Sequence, residues 1–191
     1  MALSPTVVDR LYSEFAALMT QLGAAEPSLR VSAEDTFRKA LLLAAASHFE
    51  TCVTLDLLAY AEAESNELIA YLVRNKALKR QYHTLFDWDD RSAMRFFGLF
   101  GEGFKQHMKA TMGDEPAYRA AVDAFLELGA DRNSLVHHGY GSFVLEKTTE
   151  EIYTCYQMAR GFAETVSERL RAYLASRTPD APNDQVGPGG V

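Results

Sequence analysis

Apolar residues recur every three or four positions along most of the chain, which is the spacing of an amphipathic helix. This pattern predicts helices over residues 5–23, 33–62, 66–80, 90–111, 115–138 and 149–176. The signal for a β-strand is weak and is confined to GSFVLE at residues 141–146. We therefore expect an all-α fold, a helical bundle whose core lies between the apolar helix faces.

Capping residues mark where several of these helices begin. Pro5 follows a serine and suits the first position of the first helix. Ser32, with Asp35 three residues later, resembles a capping box for the second helix. Either threonine of residues 148–149 can cap the last helix, which has acidic residues in its first turn. Residues 24–31 are expected to form a loop before the second helix.

The second helix carries two apolar rows rather than one. The first row is Phe37, Leu41, Ala45, His48, Cys52, Leu55 and Ala59, and the second is Leu42, Ala46, Phe49, Val53, Leu57 and Tyr60. Two rows cover most of the circumference, so we expect a central, long and largely buried helix.

The loops and the C-terminal residues are consistent with a single domain. FDWDD at residues 86–90 is expected to be a loop, and the helix 90–111 to be broken or kinked around GLFGEG. Residues 1–176 form one predicted helical domain. Residues 177–191, rich in proline, glycine and polar residues, form a predicted disordered tail.

Composition limits the classes of protein to consider. The 191 residues are 48% hydrophobic and 24% charged, as in an ordinary globular domain. Cys52 and Cys155 form no C-x-x-C pair, which favours a reducing cytoplasm over a zinc or disulfide scaffold. The N-terminal residues do not resemble a secretory signal, and no run of 18 apolar residues occurs. We expect a cytoplasmic protein without a membrane partner.

The net charge of -7 argues against a broad nucleic-acid surface, but the charge is uneven. The run RNKALKR at residues 74–80 makes the middle of the chain locally basic. Such a run is most often a solvated helix face, although it can also form a bounded anion-binding surface.

The stretch ADRNSLVHHGYGSF at residues 130–143 carries the strongest functional signal. Arg132 falls on the apolar row of helix 115–138, where a hydrophobic residue is expected, unless Gly129 breaks the helix. A buried guanidinium is costly unless it is paired or faces a wet cleft. The alternative is a plain helix end, in which cationic side chains meet the last carbonyls and Gly139 or Gly141 follows the cap.

His137 and Asn133 lie one turn apart, so the amide can orient the imidazole ring. A histidine near a helix C-terminus suits general acid/base work near neutral pH, and an arginine suits binding of phosphate. Together these residue types predict a site that holds a phosphate and moves a proton.

Arg132-Asn133-x-x-x-His137 resembles the arginine, polar residue, spacer and histidine signature of the HEPN superfamily. LLLAAASHFETCV (41–53) and RFFGLFGEGFKQHM (95–108) resemble the RiboL-PSP type of HEPN domain, with a likeness over about residues 33–175. The resemblance implies a homodimer in which the motifs of both protomers face one cleft. It also implies metal-independent cleavage of RNA without a cofactor, by attack of the 2′-hydroxyl on the adjacent phosphate.

Carried onto this chain, the resemblance implies that Arg132 stabilises the phosphorane and His137 moves the proton. Asn133 would position one of them. The doubled histidine also allows a His138-x-Tyr140 variant, whose tyrosine is an adenylylation target in HEPN toxins paired with antitoxins. We prefer His137 as the acid/base and interpret Tyr140 as a structural or substrate-contacting residue.

Outside this motif the chain has other polar and aromatic residues with candidate roles. Glu50, in a polar row with Ser47 and Thr54, is either at an exposed helix edge or pairs with Arg132. His48 is interpreted as a core histidine, and Trp88 as a packing residue. His83 and His107 are interpreted as surface residues.

The sequence is compatible with three functions. The first is an endoribonuclease of defence or toxin type, with RNA as substrate and an antitoxin or regulatory partner. The second is a non-catalytic HEPN module that binds nucleotide, RNA or a partner protein. The third is a helical scaffold in which the motif is only a helix end.

Overall fold

The computed structural model describes residues 5–22 and 26–177. In chain order the helices are α1 (Val7–Leu22), α2 (Pro27–Glu64), α3 (Glu67–Leu72), a π-helical segment (Val73–Leu78), α4 (Tyr82–Leu85), α5 (Met94–Gly98), α6 (Glu102–Asp114), α7 (Pro116–His138), α8 (Thr149–Ala163) and α9 (Val166–Arg177). No strand occurs among these residues, GSFVLE included, and two residues of the 86–92 turn form an isolated bridge. The predicted all-α class is confirmed.

The first two helices begin at positions that differ from the prediction. α1 begins at Val7 rather than Pro5, because Thr6 and Asp9 exchange side-chain and backbone hydrogen bonds across its first turn. The serine before Pro5 lies outside the described residues. Within α2, Ser32 is not a cap, since the helix begins at Pro27, whose ring preorganises the first helical position.

α2 is the central helix of the bundle, and its second apolar row is buried at Leu42, Phe49, Val53 and Leu57 and half-buried at Ala46 and Tyr60. It packs against α1, α7, α8 and α9. The first apolar row leaves the core partway along the helix, since Leu55 is 59% exposed. By length and composition α2 could cross a membrane, a property that core helices of soluble proteins share, and 33% of its most apolar stretch is buried inside the fold.

The predicted helix 66–80 divides into two forms of helix. Asn66 caps α3 through its side chain, and the backbone then continues as the π-helical segment. After that segment the chain extends at Lys79 and turns sharply at Arg80, which has a positive φ of 62°. This turn directs the residues that follow back toward α2 and α7.

The break predicted around GLFGEG is confirmed. α5 ends at Gly98, and α6 begins after Gly101, whose φ of 97° is a conformation that favours glycine. The predicted loop at residues 86–90 is also confirmed as a turn held by the backbone of Asp87 and Ser92.

The predicted helix 149–176 is two helices instead of one. Of the two threonines that could cap α8, Thr148 is the cap, and it forms a full capping box with Glu151. The break between α8 and α9 has a tertiary cause, because Asp56 of α2 accepts hydrogen bonds from both the backbone N–H and the hydroxyl of Ser167. A carboxylate from another helix thus satisfies a free donor in the first turn of α9. The predicted tail beyond Arg177 lies outside the described residues.

The core is rich in aromatic side chains contributed by α2, α5, α7, α8 and the segment between α4 and α5. Its most deeply buried members are Phe49, Phe86, Phe96, Phe97, Phe125, Tyr156 and Phe162. α7 packs along α8 and also contacts α2 and α6, so α7 lies at the centre of the part of the bundle that carries the motif.

Candidate functional site

Arg132 lies in a cavity and not in the dry core or on open surface. α7 continues through Gly129 without a break and ends at His138, with Gly139 following at a φ of 85°. Arg132 is therefore held at the position that the apolar row predicts, partly buried, where it lines a cavity of about 470 Å³. A cavity open to water removes much of the cost of desolvating the guanidinium.

We call this space the Arg132 cavity. Its apolar lining is Leu43, Ala46, Phe49, Tyr82, Trp88, Phe125 and Gly129, and its polar lining is Ser47, Glu50, Arg80, His83, Arg132 and Asn133. α2, α7 and the segment around α4 supply these residues, so the cavity exists only where three separate parts of the chain meet.

Trp88 forms the wall between the cavity and the neighbouring surface. It is 9% exposed, and its indole N–H donates a hydrogen bond to the carbonyl of His83 (2.9 Å). The ring packs so closely on α7 that a β-carbon at Gly129 would overlap it. The interpretation of Trp88 as a packing residue is confirmed, and Gly129 is the position that makes the packing fit.

Asn133 contacts Arg132 rather than His137. Its side-chain oxygen accepts a hydrogen bond from a terminal nitrogen of the Arg132 guanidinium (3.2 Å). Among the described residues no hydrogen bond joins Asn133 to His137. Asn133 was expected to position either Arg132 or His137, and in the structure it binds Arg132.

His137 is exposed and lines a second, smaller space of about 330 Å³. This His137 cavity is also lined by Trp88, Asp89, Arg91, Ala130, Asn133, Ser134 and His138. Trp88 and Asn133 line both cavities, so the two spaces adjoin along α7. Within one chain the arginine and the histidine of the motif thus line neighbouring spaces.

His138 and Tyr140 are engaged with the fold. The Nδ1–H of His138 donates to the carbonyl of Ser134 (2.9 Å), and its ring stacks on Phe143. The hydroxyl of Tyr140 donates to the carbonyl of Thr36 (3.2 Å), which joins the chain after α7 to α2. These contacts support a structural role for Tyr140.

Of the two interpretations of Glu50, an exposed helix edge and a pair with Arg132, the structure favours the first, since Glu50 is exposed. Both side chains line the Arg132 cavity, yet no ion pair or hydrogen bond joins them in the described part of the chain. Glu50 extends from α2 and Arg132 from α7, so the two groups line the cavity from different helices. The carboxylate still affects the cavity, since burial first and then Glu50 raise the pKa of the Tyr82 hydroxyl, whereas Arg132 opposes this shift.

Two further polar residues of the site, Arg80 and His83, are exposed, as their interpretation as surface residues predicts. Both line the Arg132 cavity. Arg80 reaches it from a left-handed backbone conformation that costs an L-residue about 1–2 kcal/mol. The basic run at residues 74–80 was the only signal for Arg80, and nothing in the run separated it from Arg74, which pairs with Glu62.

His48 lies apart from the site, as expected for a core histidine. Its ring contacts the hydroxyl of Tyr156 (3.2 Å) and the thiol of Cys52. Burial lowers the pKa of His48, and the Arg160 guanidinium adds to this effect while Glu164 and Asp9 oppose it.

The chemistry that the site supports is binding of an anion beside an exposed imidazole. Arg80 and Arg132 outnumber the Glu50 carboxylate, so the cavity is cationic within an acidic chain. Among residues 5–22 and 26–177 no group of three His, Cys, Asp or Glu side chains is placed to hold a metal ion.

Comparison with known proteins gives one family match. The model of the RiboL-PSP-HEPN family matches residues 9–172, which is most of the chain and includes α2, both cavities and the whole of α7. No curated protein matches the chain significantly. The solved structures likewise contain no significant match.

Proposed function

We propose that this chain, which belongs to the RiboL-PSP-HEPN family, is a metal-independent endoribonuclease that cleaves RNA at the Arg132 and His137 cavities. The observation that carries the proposal is the position of Arg132, a guanidinium held by Asn133 inside a cavity beside an exposed histidine. A planar, permanently charged fork in a partly enclosed space is suited to bind a phosphate.

In the proposed reaction the 2′-hydroxyl of a ribose attacks the phosphorus of the adjacent phosphodiester. The O–P bond forms as the bond to the 5′-oxygen of the next nucleotide breaks, which leaves a 2′,3′-cyclic phosphate and a 5′-hydroxyl. Arg132 stabilises the negative charge that develops on the non-bridging oxygens. His137 transfers the proton, as a base toward the 2′-hydroxyl or as an acid toward the leaving oxygen.

A homodimer would complete this site. The reaction needs both a base and an acid, whereas one chain presents one free imidazole of the motif. Val136, beside His137, is 51% exposed, and Val144, after α7, is 75% exposed. Apolar side chains beside the motif suit an interface between two chains that brings their histidines into one cleft.

We place this activity in a defence or toxin system of the cytoplasm, restrained by an antitoxin or regulatory partner. A small RNA-cutting domain requires such restraint, because unregulated cleavage would damage the cell that makes it.

The test is cleavage of end-labelled RNA in the presence of EDTA. Wild type should cut and leave cyclic phosphate ends. Arg132→Ala and His137→Ala should cut at least about 100-fold more slowly, the scale of a lost acid/base or charge-stabilising group. Arg95→Ala and His107→Ala remove the same side-chain types outside both cavities and should cut as wild type does. Equal cleavage by all five proteins would contradict the proposal.

One observation favours the alternative, a non-catalytic module that binds nucleotide, RNA or a partner protein. Arg132 and His137 line different cavities in one chain, which suffices for binding but not for cleavage unless a second chain joins. Binding of labelled RNA that depends on Arg132, without any cyclic phosphate product at protein concentrations that give a dimer, would select this alternative.

A further inference from the structure

Glu50 is an exposed carboxylate at the edge of the cationic Arg132 cavity, and no described residue forms an ion pair with it. In the described part of the chain it forms no ion pair with Arg132 or Arg80, although all three side chains line the same space. Glu50 extends from α2, whereas Arg132 comes from α7 and Arg80 from the turn before α4. The acidic and basic groups are therefore held on different walls, and a ligand between them can contact both.

The walls between these charges are apolar and aromatic. Phe49, Tyr82, Trp88 and Phe125 line the cavity together with small aliphatic side chains. Its volume of about 470 Å³ falls within the range of small-molecule sites. Apolar walls with a few polar groups at the edge are what an unstacked nucleobase needs, because its faces are apolar and its edge carries hydrogen-bonding groups.

A carboxylate distinguishes bases by the hydrogen-bonding groups on their edges. An ionised Glu only accepts hydrogen bonds, so it matches an edge that presents two adjacent donors. Guanine presents such an edge in its N1–H and its 2-amino group. Adenine places the acceptor N1 beside its amino group, cytosine places N3 there, and uracil has one N–H between two carbonyl oxygens.

We propose that the Arg132 cavity is a guanine subsite, in which Glu50 accepts hydrogen bonds from N1–H and the 2-amino group while Arg132 and Arg80 bind the attached phosphate. The inference rests on the proposed function, since it names the base next to the phosphate that the enzyme cuts. The two guanidiniums exceed the one carboxylate in charge, and a phosphate monoanion neutralises the positive charge that remains. A bidentate pair of charge-assisted bonds discriminates between bases by about 5- to 100-fold.

The only tryptophan of the chain reports on this cavity, because Trp88 lines it. We would titrate the wild-type protein with 5′-GMP, 5′-IMP, 5′-AMP, 5′-CMP and 5′-UMP and follow Trp88 fluorescence. GMP should bind about 5- to 100-fold more tightly than AMP, CMP or UMP. IMP keeps N1–H but lacks the 2-amino group, so its affinity should lie between those of GMP and AMP.

Two glutamate variants test the role of the carboxylate. Glu50→Gln removes the charge and one acceptor, so GMP should bind no more tightly than AMP, while the phosphate-dependent binding of both remains. Glu34→Gln makes the same change on α2 outside the cavity and should keep the preference for GMP. Arg132→Ala should weaken all five nucleotides by a similar factor, because the phosphate is common to them.

The outcomes separate this inference from the proposed function. Equal affinity for GMP and AMP, an unchanged preference in Glu50→Gln, or no binding of any nucleotide would overturn the guanine subsite. RNA cleavage in EDTA that is Arg132-dependent but has no preference for guanine at the cut would overturn the subsite and leave the ribonuclease standing. A Glu50-dependent preference for GMP without RNA cleavage would support the guanine subsite and overturn the ribonuclease.

Discussion

The six-membered ring of Trp88 occupies the space that a β-carbon at position 129 would take. Gly129 therefore lets the loop that carries Trp88 lie directly on α7, one turn before Arg132. The hydrogen bond from the indole to His83 joins the same ring to the segment that supplies Arg80. One glycine thus determines where two walls of the Arg132 cavity meet.

Gly129→Ala should displace Trp88 and open the wall between the two cavities. Overpacking of this kind costs about 1–3 kcal/mol, which urea unfolding will measure. Tryptophan emission should shift to the red as the ring becomes exposed, and RNA cleavage should fall with it.

The control is Gly113→Ala, in α6, where an added β-carbon meets no atom within 4 Å. Alanine is favoured over glycine inside a helix by roughly 0.5–1 kcal/mol, so this variant should be as stable as wild type or more so. A Gly129→Ala protein with unchanged emission and stability would show that the position of the Trp88 ring does not depend on its contact with Gly129.

Asn133→Asp should neutralise Arg132 without removing it. A carboxylate at this position would form an ion pair with the guanidinium that now donates to the amide oxygen. Affinity for RNA should fall about tenfold, equivalent to ~1.4 kcal/mol, while the melting temperature stays constant or rises. Asn75→Asp adds the same charge outside the cavities and should leave affinity unchanged; fluorescence anisotropy with labelled RNA measures both. Wild-type affinity in Asn133→Asp would argue against Arg132 as the phosphate contact.

Arg80→Gly should separate binding from stability. Glycine adopts the left-handed backbone at this position without steric cost, so stability should not decrease despite the loss of a side chain. Loss of this cation should weaken RNA binding. The association constant should then fall less steeply with salt, the slope of its logarithm against the logarithm of salt concentration being smaller in magnitude by about 0.7, the contribution of one phosphate contact on a single strand. Lys79→Ala, which removes the neighbouring cation outside the cavity, should preserve the slope. A slope unchanged in both variants would mean that Arg80 does not contact the strand.

The two histidines that end α7 should differ in their effect on cleavage. His137→Ala should reduce the rate by about 10²–10⁴-fold, because its ring is free to transfer a proton. His138→Ala should cause a much smaller loss, since the Nδ1–H of His138 is bound to the Ser134 carbonyl. Tyr140→Phe should cost about 1 kcal/mol of stability through the lost bond to Thr36, with cleavage retained. Single-turnover rates and urea unfolding measure these effects, and a larger loss in His138→Ala than in His137→Ala would reverse the assignment.

His48 should make the fold sensitive to mild acid. Burial lowers the pKa of this histidine, so the folded protein binds its proton less tightly than the unfolded chain does. The stabilisation from neutral His48 is therefore complete above about pH 6.5, the ordinary pKa, and decreases as the pH falls through that value toward the lower folded pKa. Urea unfolding at pH 7.5, 6.5 and 5.5 should show this loss in wild type.

His48→Gln should reduce this pH dependence. At pH 7.5 the variant should be less stable by about 1 kcal/mol, because the contact with the Tyr156 hydroxyl is lost. Between pH 7.5 and 5.5 it should then lose less stability than wild type. Identical pH dependence in the two proteins would assign the effect to another group.

The helices, and the site residues on α7, were largely predictable because their signals are local. Apolar spacing of three and four residues predicted the bundle and the full length of α7. The glycine-rich GLFGEG predicted the break before Gly101, and the threonines at residues 148–149 with the acidic residues after them predicted the start of α8. The same apolar row indicated that Arg132 points inward. Each of these inferences uses residues within one or two helical turns of one another.

The errors occurred where distant residues decide the outcome. Asp56 of α2 makes the break before α9, and no spacing within 149–176 reveals it. The Glu50 and Arg132 side chains have the charges of an ion pair, but whether two helices bring such groups within reach depends on how the helices pack. Arg80 and His83 are exposed, as predicted, but the sequence did not show that they line the cavity, because a turn with an uncommon backbone conformation at Arg80 places them there.

The amino-acid sequence by itself determined the all-α class, most helix positions and the arginine, asparagine and histidine motif at the end of α7. Periodicity and capping act over a few residues, so a linear pattern contains them. Only the tertiary structure decided that Trp88 packs on Gly129, that Asn133 binds the arginine, and that Arg80 and an unpaired Glu50 line the same cavity. A cavity is the space left between packed elements, and its shape depends on contacts between residues far apart in the chain.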